Sequence, residues 1–150
     1  MSGPTIWTLG YEQATVASVV AALTGAKVEV LADVRALPLS RRPGFSKTAL
    51  AGALAEAGIE YRHFKALGTP ADGRAAARAG RHAELERIYA GQLELPEALA
   101  AGAQLADLAQ EKRVALLCYE RDAHVCHRTL LREAMLAQFT PIDLVPGDAG

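Results

Sequence analysis

Cysteine is scarce: Cys118 and Cys126 are the only two, both late in the chain. Two are too few for a disulfide framework, and the scarcity fits a reducing compartment in which Cys126 is not half of a structural disulfide. An excess of either charge is also missing. Sixteen basic residues against seventeen acidic leave a net charge of −1, so no global positive field is available to hold a nucleic acid or an anionic membrane, and any anion site must be local. No apolar run approaches the length of a membrane span, and the opening MSGPTIWTLG has no charged segment followed by an apolar stretch. A cytoplasmic protein with no membrane partner is therefore expected. Internal repeats and linkers are absent too, and residues 1–150 are read as one domain.

What the chain does have is material for a core. Hydrophobic residues make up 51% and charged residues 22% of the 150 positions, close to the globular average. A chain of this length buries about 70% of its unfolded surface without any staple. Thirty-one alanines supply much of the apolar fraction, and twelve of the sixteen basic residues are arginine. That bias lowers the weight of any lone arginine.

Short β-branched or apolar runs alternate with helical periodicity. Thr5 to Leu9 (TIWTL) reads as a strand stopped by Gly10, and Val28 to Val34 (VEVLADV) as a strand buried on both faces. Glu60 to Lys65 reads as a third strand, Val114 to Cys118 (VALLC) as the clearest buried one, and Pro141 to Val145 as an added edge strand. Between them, Val16, Val19, Val20 and Leu23 recur at helical spacing within Thr15 to Leu23, and Ser46 is placed to cap a helix through Leu54 and Ala57. Gly73 to Tyr89 and Pro96 to Glu111 read as two further helices, with a last one from about Cys126 to Gln138. Such alternation predicts an α/β fold: one three-layer, Rossmann-like unit with a mostly parallel central sheet, because parallel neighbours need crossover connections.

In such folds the ligand crevice lies beyond the carboxyl ends of the strands. The four candidate exits are all chemically loaded: Gly10 and Tyr11 after the first strand; Asp33 and Arg35, then Ser40, Arg41 and Arg42, after the second; Lys65 and Gly68 after the third; Tyr119, Glu120 and Arg121 after VALLC. Loops are polar in any case, so one such exit means little, whereas four on one edge are harder to dismiss. The densest stretch, Cys118 to Arg128, runs from a buried strand into a helix start, where backbone N–H groups favour an anion and Arg128 adds a guanidinium. The bland alternative is an ion pair from Arg128 to Asp122 or Glu120. Cys126 beside His127 sits where a thiol pKa is lowered, and the competing reading is a buried space-filler. Position 124 is histidine, so the cysteine, five residues, arginine loop of tyrosine phosphatases is not matched. Cys118, His124, Cys126 and His127 offer zinc-type ligands, but adjacent side chains at a helix start diverge and paired cysteine spacing is missing. No metal or other cofactor is expected.

Thr8-Leu-Gly-Tyr11, Asp33-Val-Arg35 continuing through Pro38, Ser40, Arg41, Pro43, Gly44 and Phe45, then Tyr61 with Leu67-Gly68, and Cys118-Tyr-Glu120 with Cys126-His-Arg128 resemble the Domain of Unknown Function 488 family over nearly the whole chain. The resemblance implies a compact α/β unit whose recurring polar residues coincide with the strand exits; it supplies no reaction. Asp-Val-Arg after a strand is also similar to the opening of rhodanese domains, over three residues only.

Three functions compete. The first is an enzyme acting on a phosphorylated or nucleotide-like molecule, with Asp33 or Glu120 as acid/base and Gly10, Tyr11, Arg35, Arg41, His127 and Arg128 binding the ligand. The second is a noncatalytic nucleotide or nucleic-acid binding module using Arg41, Arg42, Arg74, Arg78 and Arg81, of which the last three share a face that a solvated helix explains better, and no known nucleic-acid motif is present. The third is redox or sulfur chemistry at Cys126 with Cys118 as resolving partner. The expected geometry gathers Tyr11, Asp33, Arg35, Glu120 and Arg128 around one crevice. Arg35, entering a proline-bounded loop with little core to cover, is expected to meet a ligand anion and to matter little for the fold.

Overall fold

A computed structural model describes residues 4–119 and 127–147. Five strands, β1 (Thr5–Gly10), β2 (Val30–Asp33), β3 (Glu60–His63), β4 (Val114–Cys118) and β5 (Thr140–Leu144), form one sheet in the order β3-β2-β4-β1-β5. Every neighbouring pair is parallel, so all five carboxyl ends lie along one edge. The central strands are apolar on both faces, as expected of a parallel sheet covered on both sides. Their side chains divide by the two-residue period of the strand. Trp7, Leu9, Leu31, Ala115 and Leu117 enter one core, and Ile6, Val30, Ala32, Val114 and Leu116 enter the other.

Helices α1 (Val16–Gly25) and α2 (Lys47–Glu56) cover the first face through Val19, Leu23, Leu50 and Leu54. Helices α4 (His82–Leu93), α5 (Pro96–Glu111) and α6 (His127–Met135) cover the second through Tyr89, Leu105 and Leu131. The result is the three-layer α/β architecture that the alternating pattern predicts. Connections leaving β1 and β2 pass to one face, and the one leaving β4 leads to the other. Where neighbouring connections diverge in this way, a crevice opens at the carboxyl edge.

Local chemistry sets the boundaries. Thr15 Oγ1 accepts from the Ser18 amide and Ser18 Oγ from the Thr15 amide, both at 3.0 Å, a reciprocal box that starts α1. Ser46, expected to cap α2, makes no such cap; its Oγ instead accepts the Ser40 amide at 3.1 Å and closes the loop between β2 and α2 on itself. The single helix expected over Gly73 to Tyr89 is two, α3 (Ala71–Arg78) and α4, parted at Gly80, whose φ of 74° ends the first. Among the described residues no helix is long and apolar enough to cross a membrane.

Candidate functional site

The carboxyl edge carries a cavity of about 440 Å³, within the range typical of small-molecule sites. All the expected exits reach it: Tyr11 follows β1, Arg35 and Leu37 follow β2, Thr69 and Arg74 follow β3, and Tyr119 follows β4. Its walls are brought together by a close approach of two of these connections. A Cβ on Gly68 would lie 2.2 Å from the Ala36 amide nitrogen and 2.4 Å from its Cα, so only glycine lets the segment after β3 press against the segment after β2. The adjoining short helix (Lys65–Leu67) is fixed from below, where the buried Tyr89 hydroxyl donates to the Leu67 carbonyl at 2.5 Å. Burial pushes that hydroxyl's pKa upward, which keeps it a donor.

Asp33 and Arg35 sit two residues apart as the chain leaves β2, on the same side of an extended backbone. Arg35 Nε donates to Asp33 Oδ1 at 2.8 Å and Nη2 to Oδ2 at 2.7 Å, a two-pronged pair between side chains that are 6% and 0% exposed. Nη1 donates to the Phe45 carbonyl at 2.7 Å and to the Tyr11 hydroxyl at 3.2 Å. Burial alone would lower the Arg35 pKa, but the hydrogen bonds and charge of Asp33 outweigh it, and the guanidinium is held firmly protonated. On its other side Asp33 Oδ2 accepts from the Tyr61 hydroxyl at 2.5 Å. Burial, then the hydrogen bond to Asp33 and its charge, raise the Tyr61 pKa. Arg35 was expected to meet a ligand anion; its anion is internal, and four of its five guanidinium N–H donors are used within the protein.

Where β2 leaves the sheet, the Val34 and Arg35 carbonyls lose their ladder partners, and two histidines replace them. His127 Nε2 lies 2.7 Å from the Val34 carbonyl and His63 Nε2 lies 2.7 Å from that of Arg35. A carbonyl only accepts, so both rings carry their proton on Nε2. His127 is 9% exposed. Burial pushes its pKa down to about 4, the Val34 bond opposing and the Arg128 charge assisting, so the imidazole is neutral at neutral pH. It lines the cavity and stands edge-on to Tyr89, with ring centres 5.3 Å apart.

Of the other anticipated residues, Gly10 is buried at the end of β1, paired with Cys118 in the sheet. Arg41 is exposed on the loop and does not line the cavity. Arg128 is 1% exposed and donates from Nη1 to Cys118 Sγ at 3.3 Å, behind the cavity wall. Glu120, Asp122, His124 and Cys126 lie outside the described residues. Cys118 lines the cavity and is disulfide-bonded, against the expectation that the scarce cysteines form no structural disulfide. Among the described residues no three His, Cys, Asp or Glu side chains gather as a metal site.

Two lining residues, Leu37 and Leu39, were not singled out from the sequence. Leu37 and Leu39 are 53% and 71% exposed and Tyr119 is 45% exposed; these three of the seven exposed large apolar side chains among the described residues all line the cavity. Two leucines in a proline-bounded polar loop were the available signal. Arg74 and Arg78 of α3 also line the cavity; the sequence offers them as phosphate contacts but favours a solvated face.

A doubly wound, all-parallel α/β protein with a ligand-sized cavity where its connections diverge is the class that fold and site define. Within that class the chain belongs to the family described as Domain of unknown function DUF488, which matches residues 15–135. The matched span includes Asp33, Arg35, Gly68, Cys118 and Arg128 and begins after Tyr11. Neither the comparison with curated proteins nor that with solved structures returned a match.

Proposed function

We propose that this protein binds a phosphorylated, nucleotide-like small molecule in the cavity at the carboxyl edge of its sheet. The observation that carries the reading is the sign of the lining charges. Among the described residues every charged side chain on the cavity wall is an arginine. Arg35 is neutralised by Asp33, but Arg74 and Arg78 have no carboxylate partner among the described residues. Two unneutralised guanidinium groups beside an apolar wall favour an anion that carries an apolar part. Asp33 is a supporting group in this reading and not a general base, since both its oxygens are engaged by Arg35 and one also by Tyr61.

The test is a thermal-shift series with inorganic phosphate, ribose 5-phosphate and the nucleoside monophosphates. A ligand at a hundred times its dissociation constant stabilises by about 2.7 kcal/mol, which moves the melting temperature of a chain this size by about 5–10 °C. No shift with any phosphate compound at millimolar concentration would overturn the proposal.

A further inference from the structure

Arg74 and Arg78 stand four residues apart on α3, so they lie on one helix face, and like charges at that spacing repel. The neighbours that could relieve the repulsion, three or four residues away, are Pro70, Ala71, Ala75, Ala77, Arg81 and His82; none is acidic. Exposed arginines nearby are treated differently. Arg81 is 3.1 Å from Glu84, and Arg87 is 3.9 Å from the same carboxylate. Arg74 is half-buried and donates from Nη1 to the Thr69 carbonyl at 2.9 Å, which fixes its orientation while leaving Nε and Nη2 with no partner among the described residues. Arg78 is exposed at the cavity wall.

A different surface lines the rest of the same cavity. Phe45 and Tyr11 are stacked with ring centres 4.5 Å apart at 12°, and Tyr119 meets Tyr11 edge-on at 5.3 Å and 81°. Tyr119 is thereby held from behind while 45% of it stays in contact with solvent beside the cavity, together with Leu37 and Leu39. A sugar phosphate has no apolar face to cover them. A flat heteroaromatic ring does, and removing such surface from water is favourable in proportion to its area.

We infer that the ligand is a nucleoside monophosphate held at two ends, its phosphate on Arg74 and Arg78 and its base against Tyr119, Leu37 and Leu39. This rests on the proposed function and adds to it what the site reads: the base, together with the phosphate, and not the sugar. Arg35 lines the same cavity but is neutralised by Asp33, so the pair supplies no net charge to either end.

Calorimetric titration of the full chain with each of the four common ribonucleoside monophosphates, ribose 5-phosphate and inorganic phosphate tests this. At least one nucleotide should bind on the order of tenfold tighter than ribose 5-phosphate. Arg78→Gln, at an exposed position that folding does not depend on, should weaken that nucleotide about tenfold, and adding Arg74→Gln should weaken it further. Leu37→Ser/Leu39→Ser should bring the nucleotide down towards ribose 5-phosphate and leave ribose 5-phosphate itself unchanged. If ribose 5-phosphate binds as tightly as the best nucleotide, or Arg78→Gln binds that nucleotide like the wild type, the two-ended assignment is overturned while the phosphate-binding function stands. Absence of binding by all six compounds would overturn both.

Discussion

Replacing Arg35 by alanine separates a structural cation from a ligand-binding one. The substitution removes both prongs to Asp33 and the donors to Phe45 and Tyr11. It leaves Asp33, which is 0% exposed, with the Tyr61 hydroxyl and the residue 35 amide as partners. Breaking a buried ion pair by deleting one member costs about 3–5 kcal/mol, because the remaining charge has lost both solvent and counterion. With an unfolding entropy of roughly 0.3 kcal/mol/K for a chain of this length, that is a fall in melting temperature of about 10–15 °C. Differential scanning calorimetry on the apo-protein reads it directly. Removing both charges with Asp33→Leu/Arg35→Met should cost less than Arg35→Ala alone, since no orphan charge remains. An apo Arg35→Ala protein that melts within about 3 °C of wild type, yet has lost its stabilisation by nucleotide, would refute the structural assignment and return Arg35 to the ligand.

Two further predictions concern the walls of the cavity. His127 has a folded-state pKa of about 4 against an ordinary 6.5; between those values the unfolded chain holds the extra proton, so stability is complete above about 6.5 and falls as pH drops towards 4. At about 1.4 kcal/mol per pH unit the loss is about 3 kcal/mol, and urea melts across that window should show it in wild type and not in His127→Gln; parallel slopes would disprove the buried neutral imidazole. Gly68→Ala places a methyl 2.2 Å from the Ala36 amide nitrogen, a clash with backbone that cannot rotate away, and should cost about 2–3 kcal/mol; a variant as stable as wild type would mean that the two segments are not in contact.

The sheet was legible because its strands carry the strongest local signal a sequence offers. VALLC has no polar face and VEVLADV is a near-continuous apolar run, as a doubly covered parallel strand requires, and the structure buries every residue of Val30–Asp33 and Val114–Cys118. The exits were legible for the same reason, since a parallel sheet puts all its carboxyl ends on one edge. What failed was the assignment of partners. Charge spacing along a chain does not say whether a guanidinium is met by a ligand or by its own neighbour. The two-residue period of extended backbone did carry that information for Asp33 and Arg35, placing both on one side. Arg74 and Arg78, four residues apart on a helix, look like any solvated face until the fold turns that face towards a cavity.

The two pairs of residues are connected. A carboxylate facing the cavity would oppose any anion bound there, and Asp33 lies at the carboxyl edge where β2 ends. Arg35 prevents this by chelating both carboxylate oxygens from two residues away, while its Nη1 ties the same unit to the Tyr11 hydroxyl and the Phe45 carbonyl. Tyr11 in turn stacks on Phe45 and backs Tyr119. The pair therefore cancels its own charge and fixes the aromatic wall in one step. That leaves the balance of charge among the described lining residues to Arg74 and Arg78 of α3. On the proposed binding, scaffold and recognition are carried by different elements: substitutions at Arg35 should appear first as lost stability, and substitutions at Arg74 and Arg78 as lost affinity with the melting temperature of the apo-protein nearly unchanged.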